Sequence, residues 1–265
     1  MRWKPQGAVA VVTGASSGIG RCLCQLLIKR GANVVAVARR GDRLSDLAGN
    51  HESTDQNVGR VQTIVGDITD AVVQQQLVDA AASIRDGEVD LLVNNAGIGA
   101  IGPFADATPE RLRRVMEVNF FAPAELTRQL IPHLRRGRAP VICNIGSVLG
   151  HRAVPSKSEY CASKFALHGW SDSLRAELAA DGIQVTIISP STTRSEFFDS
   201  LIETEGNAES KSLGSWPPER VARTTLAAIQ ARRSEVICSL GGKALVYADR
   251  FAPPLMNVIL ARTSD

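Results

Sequence analysis

Tyr160 and Lys164 stand four residues apart in a stretch of otherwise mostly small side chains within this chain of 265 residues. On a helix that spacing places both side chains on one face, about 5–6 Å apart at Cβ. An ammonium group beside a phenol stabilises the phenolate and lowers the pKa of the phenol from about 10 towards neutrality. Such a tyrosine can give or take a proton in neutral water. Because pairs with this spacing are common on ordinary amphipathic helices, an accidental pair is the alternative interpretation.

A glycine-rich loop near the start of the chain is a second candidate site. It separates the apolar run at 9–13 from a leucine-rich, helix-like stretch at 21–29. Between a strand and a helix, bare glycine backbone lets a pyrophosphate approach the free N–H groups of the helix N-terminus. The glycines are Gly14, Gly18 and Gly20, a spacing different from the commoner Gly-x-Gly-x-x-Gly fingerprint. The loop alone is equally compatible with a tight structural turn.

Polar or small residues end two further apolar runs. Asn94 and Asn95 end the run that begins at Asp90, and Gly146 and Ser147 end the run that begins at Val141. Open α/β sheets bind ligands at the carboxyl ends of their strands. We therefore expect Thr13, Asn95, Ser147 and the start of the Tyr160 helix to meet at one edge of a sheet.

The rest of the chain alternates strand-like and helix-like segments. Further strands are predicted at 34–38, 61–65, 183–188 and 235–238, and helices at 42–48, 70–84, 108–134 and 159–178. Pro123 and Pro132 are expected to make the long third helix irregular. The alternation predicts an α/β fold with a doubly wound, mostly parallel sheet of about seven strands and helices on both faces. We expect one domain over 1–265, with 240–265 as an apolar C-terminal extension.

Composition excludes several classes of function. The net charge is +3, and no block of lysine or arginine suggests a nucleic-acid surface. No apolar run reaches the roughly 18–20 residues of a membrane-spanning helix, and the first residues do not read as a signal segment. The five cysteines are scattered and lack metal-ligand spacing. These features predict a reduced, cytoplasmic protein without a metal ion.

Taken in order, the motifs resemble those of the short-chain dehydrogenases/reductases. The resemblance rests on Thr13-Gly14-Ala15-Ser16-Ser17-Gly18-Ile19-Gly20, Asn94-Asn95-Ala96-Gly97, Asn119, Ser147 and Tyr160-x-x-x-Lys164, and it extends from Val9 to about Cys238. It implies a single-domain Rossmann fold in three α/β/α layers. It also implies a nicotinamide cofactor and an oxidoreductase activity on a carbonyl compound or a secondary alcohol.

The resemblance assigns roles to four candidate catalytic residues. Tyr160 would protonate a carbonyl oxygen in reduction and act as base in the reverse direction. Lys164 would lower the pKa of Tyr160 and bind the nicotinamide ribose, and Ser147 would orient the substrate oxygen. Asn119 would hold a water that links Lys164 to solvent. The alternatives are a turn serine at 147 and a helix-interior asparagine, satisfied by backbone, at 119.

The resemblance also implies a set of cofactor contacts along the strand ends. They are Gly14, Ser16, Ser17, Gly18, Ile19, Gly20, Arg39, Arg40, Asp67, Ile68, Asn95, Ala96, Gly97, Tyr160, Lys164, Pro190 and Thr193. Asp67 corresponds to the family position that contacts adenine. Pro190 and Thr193 are carried over loosely, because Ser191 and Ser195 replace the glycine and threonine usual there.

Arg39 and Arg40 decide the predicted cofactor. An acidic residue after the second strand would bind the ribose hydroxyls of NAD, but this chain has Ala38-Arg39-Arg40. Guanidinium groups bind phosphate well, so NADP(H) is favoured over NAD(H). The alternative is a pair of solvated surface arginines.

The remaining predictions concern function class, assembly and the tail. The favoured function is an NADP-dependent oxidoreductase, and the alternative is a catalytically idle NADP-binding regulatory protein of the same fold. The resemblance implies a homodimer or homotetramer paired through the long helix and the catalytic helix. The polar stretch at 195–215 is expected to form a substrate lid. The tail is expected to pack on the protein, or else to border an apolar substrate or touch a membrane surface.

Overall fold

The computed structural model describes residues 2–49, 58–191, 201–202 and 215–262. Seven strands form one sheet in the order β3-β2-β1-β4-β5-β6-β7, and every adjacent pair is parallel. The strands are β1 Val9–Thr13, β2 Asn33–Ala38, β3 Val61–Val65, β4 Leu91–Asn94, β5 Val141–Ile145, β6 Gln184–Ser189 and β7 Glu235–Ile237. The predicted doubly wound parallel sheet is confirmed. The strand order reverses between β1 and β4, which is where such sheets bind ligands.

Nine α-helices connect or follow the strands in the described parts of the chain. They are α1 Gly18–Ile28, α2 Gly41–Gly49, α3 Ala71–Ile84, α4 Pro109–Met116, α5 Ala122–Leu134, α6 Ser158–Glu177, α7 Pro218–Gln230, α8 Leu240–Phe251 and α9 Pro253–Ala261. Within the ranges described, no helix has the length and hydropathy needed to cross a membrane.

The core consists of two apolar layers, one on each face of the sheet. Alternate residues of β2 point to opposite layers: Val34 and Ala36 belong to one, and Val35 and Val37 belong to the other. Helices α1 and α7 cover the first layer, and α3, α5 and α6 cover the second. Because both faces are covered, the strands are nearly continuous apolar runs. This is why the sequence predicted them from hydrophobicity alone.

The predicted long helix at 108–134 is interrupted by a π-helical turn. Thr108 accepts a hydrogen bond from the backbone N–H of Arg111 and so caps α4. The segment Glu117–Phe121 is π-helical, and the Ala122 N–H bonds to the carbonyl of Glu117. Pro123 has no N–H for the carbonyl four residues before it, which is that of Asn119. The irregularity expected from Pro123 therefore lies one turn earlier, around Asn119 itself.

The C-terminal extension forms two helices that pack beside the end of β5. A short 3₁₀ helix, Val148–Gly150, follows β5, and Val148 packs with Ile237 and Val246. Ser239 caps α8 by accepting a 2.8 Å hydrogen bond from the Gly242 N–H. The tail therefore packs on its own subunit through α8.

Candidate active site

Thr13 and Asn95 join the glycine loop to the end of β4. The Thr13 hydroxyl oxygen accepts hydrogen bonds from the backbone N–H groups of Asn95 and Ala96, both at 3.0 Å. The Asn95 amide donates to the carbonyl oxygens of Thr13, at 2.9 Å, and of Gly14, at 3.1 Å. The ends of β1 and β4 are thereby held together as the sequence predicted.

The glycine loop makes room that side chains would fill. Gly14 and Gly18 have φ of +68° and +53°, in the left-handed region that favours glycine. A Cβ atom at Gly20 would collide with the Asn95 amide and the Gly14 carbonyl oxygen. Gly18 begins α1, and Ser17 precedes it without capping the helix through its side chain. Helix N–H groups without a side-chain cap, beside bare backbone, suit the pyrophosphate of a dinucleotide.

Arg40 lies against this loop from the end of β2. Its guanidinium donates to the Ser17 hydroxyl at 2.6 Å and to the Ser16 hydroxyl at 3.3 Å. Arg39 next to it is exposed. The loop and the end of β2 thus bring the Arg40 guanidinium and two serine hydroxyls together.

Asp67, just after β3, is held by two neighbours. Its carboxylate accepts hydrogen bonds from the Thr69 N–H at 3.0 Å and from Arg114 at 2.6 Å. Burial raises the pKa of Asp67, but these hydrogen bonds outweigh it and keep the pKa below its ordinary value. The carboxylate is therefore fixed in position at the sheet edge. Ile68 beside it is buried.

Tyr160 and Ser147 meet through their hydroxyl groups. Ser147 lies at the N-terminus of the 3₁₀ helix after β5, where its oxygen accepts a 3.1 Å hydrogen bond from the Leu149 N–H. The Tyr160 phenol, in the first turn of α6, hydrogen-bonds with the Ser147 side chain. Two hydroxyl groups joined in this way can both reach a single substrate oxygen.

The sequence predicted a lowered pKa for Tyr160, and in the protein without cofactor this prediction is wrong. Burial raises the pKa of Tyr160 to about 12, although the Ser147 hydrogen bond acts in the opposite direction. Burial also lowers the pKa of Lys164 to about 8. The Lys164 Nζ lies 5.7 Å from the centre of the Tyr160 ring. Removal of both groups from water outweighs the attraction between the phenolate and the ammonium group. The phenol is therefore protonated at neutral pH.

Asn119 connects the π-helical turn to the end of β4 and to α6. Its side-chain oxygen accepts a 2.9 Å hydrogen bond from the Ile98 N–H, and its amide donates to the Ile98 carbonyl at 3.0 Å. The amide also donates to the Ser163 hydroxyl at 2.9 Å. A Cβ atom at Gly97 would lie 3.2 Å from the Asn119 side-chain oxygen and 3.7 Å from the Lys164 Nζ. Asn119 and Lys164 therefore border the same glycine.

Known proteins resemble this chain over most of its length. A family model described as short chain dehydrogenase matches residues 8–206. The chain belongs to the short-chain dehydrogenase family. A dehydrogenase/reductase SDR family member 7B from Bos taurus is 33% identical over 274 residues, covering 98% of this chain and 82% of that protein.

Two solved structures of the short-chain dehydrogenase family resemble the chain over almost its full length. One, from Burkholderia cenocepacia in complex with NADP, has a TM-score of 0.78 and 27% identity, covering 97% of this chain and 99% of the other. Another, from Burkholderia phymatum in complex with NAD, has a TM-score of 0.84 and 24% identity, covering 96% of each chain. The second shows the fold alone. The family resemblance predicted from the motifs is thereby confirmed.

In this short-chain dehydrogenase, a buried ion pair lies beside Tyr160 that the sequence did not predict. The Arg111 guanidinium donates to the Glu159 carboxylate through Nε at 2.8 Å, and its Nη2 lies 2.6 Å from the same oxygen. Both side chains are almost fully buried. The Ser158 hydroxyl donates to the other carboxylate oxygen at 2.9 Å. The pair fixes the first turn of α6 against α4, although its members lie 48 residues apart in sequence.

The loop after β6 is described only in part. The Pro190 carbonyl oxygen accepts a 3.0 Å hydrogen bond from the Val148 N–H, which places Pro190 beside the Ser147 turn. Thr193, Ser195 and most of the predicted lid at 195–215 lie outside the described residues. Ile202, which is described, donates a 3.0 Å hydrogen bond to the Gly99 carbonyl oxygen near the end of β4.

Proposed function

We propose that this chain is an NADP-dependent oxidoreductase that interconverts a carbonyl compound and a secondary alcohol. The hydrogen bond between Tyr160 and Ser147 is the observation that carries the proposal. It unites a proton donor and an orienting hydroxyl at the C-terminal edge of a parallel sheet. Membership in the short-chain dehydrogenase family supports the same reaction class.

The residues around the glycine loop would hold the cofactor. Backbone at Gly14, Gly18 and Gly20 would receive the pyrophosphate, and the 2′-phosphate would lie between Arg39 and Arg40. Asp67, fixed by Arg114, would contact the adenine. When bound, NADPH supplies the hydride that the side chains of the protein cannot supply.

In the proposed reduction, Tyr160 gives its phenolic proton to the substrate oxygen. The Ser147 hydroxyl donates a hydrogen bond to the same oxygen. Two donors therefore stabilise the negative charge that develops there. A pKa of about 12 keeps the phenol protonated and ready to donate. The Lys164 ammonium, 5.7 Å from the centre of the Tyr160 ring, then stabilises the phenolate until a proton returns from solvent.

The proposed enzyme works in a reducing cytoplasm. All five cysteines of the chain are free thiols, and four of them are buried. Free buried thiols are usual where glutathione and thioredoxin keep proteins reduced.

A screen of carbonyl compounds with NADPH and with NADH, followed at the nicotinamide absorbance, tests the proposal. We expect turnover of at least one ketone or aldehyde with NADPH and slower turnover with NADH. Direct NADPH binding is measured in parallel by fluorescence. Tight binding without turnover across the screen would favour the idle regulatory protein, and absence of both would refute the proposal.

A further inference from the structure

Two histidines and a glutamate from three separate elements meet behind the candidate active site. His151 follows the 3₁₀ helix after β5, His168 lies one turn beyond Lys164 on α6, and Glu235 begins β7. One ligand atom from each lies within 4.8 Å of the other two. The proposed oxidoreductase mechanism uses none of these side chains.

One ring nitrogen of His151, Nε2, makes the contacts of this residue with the cluster. Its Nε2 lies 2.9 Å from the Glu235 carboxylate and 3.1 Å from the Ser189 hydroxyl. The imidazole is 5% exposed, whereas the Glu235 side chain is 31% exposed. An ion could therefore reach the buried imidazole from the side of the glutamate.

His168 has one ring nitrogen near a carboxylate and one ring nitrogen without a hydrogen-bond partner in the described parts of the chain. Its Nε2 lies 3.6 Å from the Asp172 carboxylate, one turn further along α6. Its Nδ1 is buried and has no hydrogen-bond partner in the described parts of the chain. Metal-bound histidines usually direct the outer nitrogen to a carboxylate and the inner nitrogen to the metal. The rings of His168 and His151 are 4.4 Å apart between centres.

We propose that His151, His168 and Glu235 bind a divalent transition-metal ion, with Zn²⁺ the ion that fits best. Two imidazole nitrogens and one carboxylate oxygen form an established zinc ligand set. The fourth position lies open to the Ser189 hydroxyl or to water. Tetrahedral zinc at about 2.0–2.1 Å from each ligand needs ligand atoms about 3.3 Å apart. The three ligand atoms, which lie within 4.8 Å of one another, would adjust to that spacing on binding.

Such an ion would connect α6, β7 and the turn after the 3₁₀ helix. Lys164 lies four residues before His168 on α6, and Pro190 follows Ser189 at the end of β6. The ion would therefore stabilise the elements that carry the candidate catalytic residues without contacting the reacting atoms. It does not depend on the proposed oxidoreductase function.

Equilibrium dialysis of the full-length, untagged protein against Zn²⁺ tests this site, with Mg²⁺ as the comparison ion. We expect one Zn²⁺ per chain and no comparable binding of Mg²⁺, which prefers oxygen ligands. His168→Gln and Glu235→Gln should weaken zinc binding at least tenfold, and Asp172→Asn about tenfold. The control is His133→Gln, because His133 contacts the Gly87 carbonyl oxygen far from this cluster.

Two further measurements on the same proteins separate binding from folding. Zn²⁺ should raise the thermal midpoint of the wild type and of His133→Gln but not of the two ligand variants. In NMR spectra of the wild type, the imidazole signals of His151 and His168 should move on zinc addition while that of His133 stays. Equal zinc affinity in wild type and ligand variants, or unmoved His151 and His168 signals, would overturn the proposal.

Discussion

Lys164 donates a 3.0 Å hydrogen bond to the carbonyl oxygen of Ile145, at the end of β5. The amine is buried there, and its pKa falls from an ordinary 10.5 to about 8. Between these two pH values the unfolded chain holds more protons on Lys164 than the folded chain does. The free energy of unfolding should therefore rise with pH across this window.

The matched variant Lys164→Met should lack this rise. From pH 7.5 to pH 10, we expect the wild type to gain on the order of 2 kcal/mol of unfolding free energy relative to the variant. Urea unfolding of both proteins without cofactor measures the difference. Above pH 10 the raised pKa of Tyr160 acts with the opposite sign, because the folded state then holds the extra proton. Parallel pH curves for the two proteins would show that Lys164 titrates normally.

Tyr160→Phe should remove turnover and leave cofactor binding almost unchanged. The ring stays in place, but the proton donor and its hydrogen bond to Ser147 are lost. General acid catalysis contributes about 10²–10⁴-fold, so we expect a fall in kcat of at least a hundredfold. Steady-state kinetics and NADPH fluorescence measure the two effects. Tyr247→Phe, on the exposed face of α8, is the control and should keep full activity.

Arg39→Ala and Arg40→Ala should each weaken NADP(H) binding and spare NAD(H). One charge-assisted phosphate contact contributes about 1.5–3 kcal/mol, or roughly tenfold to a hundredfold in affinity. Arg40→Ala also frees the Ser17 hydroxyl, to which Arg40 donates at 2.6 Å. Arg30→Ala, an exposed charge after α1, controls for a general loss of positive charge. Equal dissociation constants for the two cofactors in the wild type would refute the assignment.

Phe165→Glu should dissociate a dimer formed through α5 and α6. Phe165 is 43% exposed on α6, and Phe121, at the end of the π-helical turn, is 46% exposed. Large exposed apolar side chains are typical of a protein interface. Sedimentation at micromolar concentration should show at least a dimer for the wild type and a 28.3 kDa monomer for the variant. Val72→Glu places the same charge at an exposed position on α3 and should stay assembled, whereas a monomeric wild type would contradict the prediction.

Deletion from Ala252 onward should lower thermal stability. Met256 on α9 is buried, and Asn257 accepts a 2.7 Å hydrogen bond from Arg152. Removal of both contacts should lower the thermal midpoint by several degrees. Leu255, Val258 and Ile259 remain exposed on the same helix. An increase in KM for long-chain carbonyl compounds alone, with unchanged stability, would instead assign the tail to substrate binding.

The sheet and much of the candidate site could be predicted because their signals are local. Strands covered on both faces are apolar runs, and Thr13, Asn95 and Ser147 stand directly at or after their ends. The π-helical turn around Asn119 was not predicted in place, because its position depends on the missing N–H of Pro123 and on contacts with Ile98. The sequence predicted an irregularity at the proline but not the π-helical turn before it.

The remaining site features depend on distance in space. The Tyr160 pKa was predicted from the charge of Lys164 alone, and burial, which a sequence does not display, reverses the direction of the shift. His151, His168 and Glu235 come from three elements with no metal-ligand spacing in the sequence. The fold brings them together.

The buried pair of Arg111 and Glu159 also constrains how this protein can evolve. Loss of either partner alone would leave an uncompensated charge in the interior, at a cost of about 3–5 kcal/mol, whereas two apolar residues of similar volume could replace both together. Lineages should therefore rarely pass through a single change at either position. Among relatives, positions 111 and 159 should covary, so that the residue at one position predicts the residue at the other.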